Sequence, residues 1–270
     1  MFIDILFILK AVISISIVVG LSLVAERVGP RMAGLLTGLP LGAGMVVIFT
    51  GIEQGVGFTA RSAVHMIPGF VTTLVFIYAY AAVSARQGIG GIHAVMLPSL
   101  LAIVGYALSA FAMSYIQLPL KVSVPLIMLC LVMASRMMAY LPNTPILVRV
   151  SFGWRVLAFR AGMATAAILL ITGVAGSVGE QWTGLLTGFP LSLYPLILVL
   201  HITYSGNEVA AVLKNVPMSL GGLVSFCLTV TWSLPALGLV WGTAMATMAS
   251  VGYLVCYSQF YRWRHSRKAK

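Results

Sequence analysis

The stretch Gly34-Leu35-Leu36-Thr37-Gly38-Leu39-Pro40 returns almost letter for letter, 150 positions later, as Gly184-Leu185-Leu186-Thr187-Gly188-Phe189-Pro190. Each copy sets two glycines, a threonine and a proline into a run otherwise apolar enough to cross a membrane. Proline fixes φ and has no N–H to donate, so it suits the first turn of a helix and disrupts an interior. The pair predicts two spanning segments interrupted at matching points, each a broken or re-entrant entry with a longer helix beginning at the proline. Thr37 and Thr187 then stand where they can cap N–H groups near membrane depth. Helix N-termini brought together in this way attract anions. In the competing reading the glycines only let helices pack closely and the prolines only kink them.

The likeness extends outward at the same offset of 150: Gly29 meets Gly179, Leu41 meets Leu191, Ile52 meets Ile202, Ala60 meets Ala210, and Lys10 meets Arg160. Around these positions the chain is 60% hydrophobic and only 8% charged over 270 residues, against about 25% charged in soluble domains. An all-α polytopic membrane protein is the class this composition allows. Five acidic residues leave little material for carboxylate chemistry. Cys130, Cys227 and Cys256 sit in apolar segments without paired spacing and read as small core residues, so neither a disulfide framework nor a metal site is expected.

Runs of about 20 apolar residues predict nine transmembrane helices, near 3–25, 34–53, 61–84, 92–115, 119–140, 155–177, 184–204, 208–232 and 235–258. The first lacks a basic start and a cleavage site, so it reads as a retained span. The fifth has Pro119, Pro125 and Arg136 in or beside it. Arg27, Arg31, Arg86, Arg149, Arg155 and the tail residues Arg262, Arg264, Arg267, Lys268 and Lys270 fall on one side, against Arg61 and Lys121 on the other. That bias predicts a cytoplasmic C-terminus and an outside N-terminus. The basic tail reads as an anchor at the anionic inner leaflet. Spans one to four (1–116) and six to nine (151–260) then form two four-helix repeats joined by a linker span (117–150), with residues 261–270 as the tail. Five spans separate the copies, so the second enters from the opposite face. Inverted-topology repeats of this kind are common in secondary transporters and place a site near the midplane.

Lys10 lies about 10 Å along the first span at 1.5 Å per residue, deep for a charge, and Asp4 is too badly spaced to face it on one helix. With Arg160 it makes two cations at one repeat position, which points to anion coordination. Glu53, His65 and His201 are the candidates for proton coupling, although residues near span ends also serve simply as polar groups at the water boundary, as does Glu208. Lys214 and Asn215 are further candidates for lining a cavity. No zinc-ligand helix, nucleophile elbow or phosphate-binding loop appears, so no enzyme activity and no cofactor are expected.

A basic residue in a first span, then Ala-Gly-Leu or Thr-Gly-Leu, then Leu-Pro or Phe-Pro opening a second span, resembles the small GlpM-like bacterial membrane proteins. The residues are Lys10, Ala33-Gly34-Leu35 and Leu39-Pro40 in one copy, and Arg160, Thr183-Gly184-Leu185 and Phe189-Pro190 with His201 in the other. The resemblance covers about 50 residues of each half and implies a duplicated bacterial inner-membrane protein without fixing a substrate. Gly51 stands where the second copy has His201. The function expected is a secondary transporter or exporter moving a small anionic or zwitterionic solute by alternating access. Substrate contacts are assigned to Lys10, Thr37, Gly38, Pro40, Arg160, Thr187, Gly188 and Pro190. The alternatives are a membrane scaffold or accessory subunit, and a flippase for a lipid-linked phosphate. Expected partners are a small anionic solute or lipid headgroup and the membrane lipids, with a homo-oligomer left open and nucleic acid not expected.

Overall fold

The computed structural model describes residues 7–20, 38–141 and 153–266, and these are all-helical, without a strand. In order they form α1 (Phe7–Gly20), α2 (Leu41–Glu53), α3 (Val56–Gln87), α4 (Met96–Ser114), α5 (Leu120–Met138), α6 (Trp154–Thr187), α7 (Leu193–Thr203), α8 (Gly206–Leu213) and α9 (Val216–Ser266). Thr37 lies outside the described residues, as do Asp4, Arg27, Arg31, Arg149, Arg267, Lys268 and Lys270. Five helices, α3, α4, α5, α6 and α9, are long and apolar enough to cross a membrane. The proline-bearing α5 is among them.

The helix boundaries depart from nine even spans. α2, with 13 residues, and α7, with 11, reach only about 20 and 17 Å, short of the roughly 30 Å hydrocarbon core. The long helix expected to start at each proline is therefore a half-length one. The segment expected at 184–204 is shared between the end of α6 and α7. The one expected at 208–232 is cut after Leu213 by a turn at Lys214 and Asn215, and its remainder ends at the turn at Gly238, beyond which the last segment begins. α6 and α9 each contain a break at a glycine, Gly179 (φ 79°) and Gly238 (φ 74°). Glycine adopts a positive φ without the steric penalty of a Cβ, so each run is two helices that meet at a sharp turn; across the turns Thr183 reaches the Ala175 carbonyl at 3.4 Å and Ser233 the Gly242 carbonyl at 3.0 Å.

α3 is the central post. It packs on α4, α5, α6, α8 and α9, and Met66, Ile67, Phe70, Phe76, Ile77 and Tyr80 on it are fully buried. α1 buries only a narrow stripe, Lys10, Ser14 and Val18, spaced by four so that they share one face. That stripe meets α6, where Ala161, Ala164 and Ile168 form a small-residue surface. The short α8 starts on Ser205 as its N-cap residue. The Ser205 hydroxyl accepts from the Asn207 N–H and donates to the Glu208 carboxylate.

Candidate functional site

Both motif prolines build the same local device. The Leu41 N–H donates to the Leu39 carbonyl at 2.8 Å, and the Leu191 N–H to the Phe189 carbonyl at 2.7 Å. Each closes a three-residue turn centred on the proline. Pro40, at φ −80° and ψ 46°, sits near the inverse γ-turn minimum. The first turn leads into α2, which begins at Leu41, and the second follows the end of α6 and leads to α7, which begins at Leu193. Thr187 is the last residue of α6, and its hydroxyl donates back to the Thr183 carbonyl at 2.6 Å. It closes the preceding helix and does not cap the following one as the spacing predicts.

The glycines seat these turns against other helices. Ser219 and Leu254 of α9 crowd the place where a Cβ would stand on Gly38. Gly69 of α3 does the same to Gly188, with its carbonyl 3.0 Å from that position. Thr73 donates to the Gly188 carbonyl at 2.5 Å, and Ser250 to the Gly38 carbonyl at 3.3 Å. Neither role needs an unusual backbone, since Gly188 is at φ −64° and ψ −16°; it needs space. Further pairs repeat the pattern. Phe226 Cζ lies 3.9 Å from a Cβ position on Gly44, while Phe76 stacks edge-on to Tyr194 at 5.3 Å. Leu239 fills the space over Gly51, while the Ile89 carbonyl pairs with His201 Nε2 at 3.1 Å. For Gly38–Ser219 against Gly188–Gly69 and for these two further sets, the second pair is the first displaced by 150 positions with the partners exchanged, whereas the Thr73 and Ser250 hydrogen bonds have no such counterparts.

Between the two turns lies a small cavity of about 40 Å3, bordered by Leu39, Gly42 and Ala43 on one side and Thr187, Gly188, Phe189 and Pro190 on the other, with Phe70 and Thr73 from α3. A second, smaller cavity of about 10 Å3 adjoins it and shares Gly42, Leu191 and Ser192. Arg160 and Val18 border this second one. Arg160 is 4% exposed and is the one charged side chain among the described residues that line either cavity.

Of the residues singled out from the sequence, the structure gathers Thr187, Gly188, Pro190 and Arg160 around the two cavities and sets Gly38 and Pro40 immediately beside them. Lys10 is elsewhere. Its ammonium pairs with the Glu53 carboxylate at 2.5 Å, donates to Thr172 at 2.9 Å and lies 5.7 Å from the centre of the Phe49 ring. Thr172 is twelve residues beyond Arg160 on α6, about 18 Å along the axis, so the two repeat-matched cations do not converge on one ligand. Lys10 and Glu53, read from the sequence as substrate and coupling groups, hold each other.

His201 is fully buried and both ring nitrogens are engaged: Nε2–H donates to the Ile89 carbonyl, and Nδ1 accepts from the Tyr80 hydroxyl at 3.0 Å. It ties α7 to α3 and to the connection after α3, a positioning role for a neutral ring. His65 sits against Gly184, where its Cβ helps close the gap between α3 and α6. It is one turn from Arg61, which holds Glu180 at the α6 break with its Nε at 2.8 Å. Lys214 donates to the Ala139 and Leu141 carbonyls at the end of α5, a favourable place for a cation, and so is not at the cavity. Sequence reasoning missed Phe70, Thr73 and Ser192. Thr73 follows Pro68 and Gly69 inside α3, a stretch that the search for repeated motifs passes over.

No cluster of three His, Cys, Asp or Glu side chains that could hold a metal ion occurs among the described residues. No known family model, curated protein or solved structure matches the chain.

Proposed function

We propose that the chain is a secondary transporter or exporter built on two inverted four-helix repeats, carrying a small anionic or zwitterionic solute through the site between its two broken helices. The observation that carries this reading is the double cavity bounded by both proline turns and bordered by buried Arg160. Broken helices inside a membrane are tolerated where they are buried in protein or line a wet cavity. The exchanged contacts at offset 150 support a two-fold relation between the halves, which gives alternating access its two equivalent states. The first turns of α2 and α7 border the cavities, and their free N–H groups add a positive field to the Arg160 guanidinium.

A scaffold whose motifs only pack helices accounts for the tightly seated glycines. It does not account for two half-length helices that begin at a space lined by a buried cation. In this reading the basic C-terminal tail faces the cytoplasm of a bacterium and the membrane is the inner one, as the charge distribution suggests.

The test is thermal unfolding of the purified protein in micelles against a panel of small organic anions and lipid headgroups. At least one anion should raise stability, by about 2.7 kcal/mol at a hundred times its Kd, and Arg160→Gln should abolish the shift while leaving a folded protein. Stabilisation by none of the panel, or an equal shift in the variant, rejects the assignment.

A further inference from the structure

Resting on the transport reading above, we infer that the solute is a monovalent anion carried together with a proton, and that Glu53 is the group that takes the proton up. Three observations lead there. The first is that the buried Lys10–Glu53 pair is more than the architecture needs. The second copy has Thr203 where the first has Glu53, and it builds the matching short helix, α7, without an acid at its end. An ion pair at depth is weak evidence for stability, because well-packed apolar side chains serve as well. Ionisable side chains inside spanning segments mark ion and proton paths instead.

The second is the unequal burial of the two partners. The Lys10 ammonium is enclosed by Glu53, Thr172 and the ring of Phe49, whereas the Glu53 side chain is 23% exposed at the end of α2. The acid is thus the partner that a proton from the aqueous phase reaches. The proton goes to a Glu53 carboxylate oxygen, which leaves a neutral carboxyl beside an ammonium and so adds one positive charge. Its release to water restores the pair. The other charged groups around α2 are engaged or remote. From α3, Arg61 holds Glu180 of α6, and His65 lies against Gly184. On α6, Arg160 is twelve residues from Thr172 and has an interaction of its own. α9 has no acidic or basic residue before Arg262.

The third is the seam behind the pair. Ser14 follows Lys10 by four residues on α1, and Thr165 precedes Thr172 by seven on α6, so each shares a face with that neighbour. Both are buried, and neither hydroxyl has a hydrogen-bond partner among the described residues. An unpaired buried hydroxyl costs free energy that an alanine would not, and a hydroxyl both donates and accepts, as a proton relay must. Val18, one turn beyond Ser14, borders the second cavity with Arg160, so the seam leads from the ion pair toward the two cavities. A charge added at Lys10 is felt there. At about 18 Å and an effective dielectric of about 20, it strengthens the binding of a monovalent anion roughly fivefold.

Calorimetric titration of the purified full-length protein with methanesulfonate, isethionate and nitrate, over the pH range in which it stays folded, is the test. These probes keep one negative charge throughout, so pH acts on the protein alone. At least one should bind about fivefold more tightly at the acidic end than at the alkaline end, taking up protons from the buffer as it binds. Glu53→Gln, which copies the protonated carboxyl, should hold the acidic affinity at every pH. Lys10→Met, Glu53→Leu, which removes both charges, should hold the alkaline affinity, and it serves where the single variant does not fold. A pH response in the double variant as large as in the parent overturns Glu53 as the proton carrier. Binding by the parent that does not respond to pH overturns the proton and leaves the anion site in place. Binding of none of the three overturns the monovalent anion, and if no anion of the wider panel stabilises the protein either, the transport reading falls with it.

Discussion

Glu53→Ala is expected to destabilise the protein by about 3–5 kcal/mol, among the largest effects of any single replacement, because it leaves the Lys10 ammonium buried without its carboxylate. Lys10 is 4% exposed, and Thr172 alone, at 2.9 Å, does not balance a charge. The loss belongs to the broken pair and not to the residue. A Lys10→Met, Glu53→Leu double variant should therefore recover most of it, since well-packed apolar replacements of a buried ion pair are often neutral. Thermal unfolding of the four proteins in micelles gives the cycle. A double variant as unstable as the sum of its parents would show that the pair does more than neutralise itself. The double variant should also keep its anion-dependent stabilisation, because Thr172, against which Lys10 sits, is about 18 Å along α6 from Arg160.

Gly38→Ala is the second large effect. A Cβ there would run into the Ser219 carbonyl and, 2.8 Å away, Leu254 Cδ2. A backbone carbonyl cannot step aside as a side-chain end can, so a cost at or above the usual 1–3 kcal/mol of overpacking follows. Gly188→Ala meets Gly69 at 3.0 Å and should cost less, giving an order that unfolding in micelles reads directly. If Gly38→Ala is as stable as the parent, the turn before α2 does not dock on α9 as described.

The turns before α2 and α7 were legible in the sequence because proline and glycine act locally: the turns at Pro40 and Pro190 need no knowledge of the rest of the fold. The membrane class was legible for a similar reason, since composition alone sets it. The half-length of α2 and α7 was not legible, because a hydropathy window of about 20 residues averages the turn and the short helix into one span. The Lys10–Glu53 pair was missed because spacing arguments search within a helix, where Asp4 was the neighbour considered, while the partner comes from another helix altogether. A hint lay in the repeat itself. Lys10 and Arg160 correspond, but Glu53 corresponds to Thr203, so only the first copy has the acid at that position. The same comparison separates Gly51 from His201. Glycine there makes room for Leu239, and histidine grips the Ile89 carbonyl, so one position serves the same contact by different chemistry. Thr73 stayed hidden because its place at the cavity depends on α3 meeting the second turn, a contact 115 residues apart.

The most direct measurement is the reactivity of a single cysteine placed at Ser192, where the two cavities join, after Cys130, Cys227 and Cys256 have been replaced. A membrane-impermeant thiol reagent is applied to right-side-out and to inverted vesicles. Alternating access predicts modification from both faces, slowed on both by a bound anion. Modification from neither face, or from one face only, would contradict a transport site between the two broken helices.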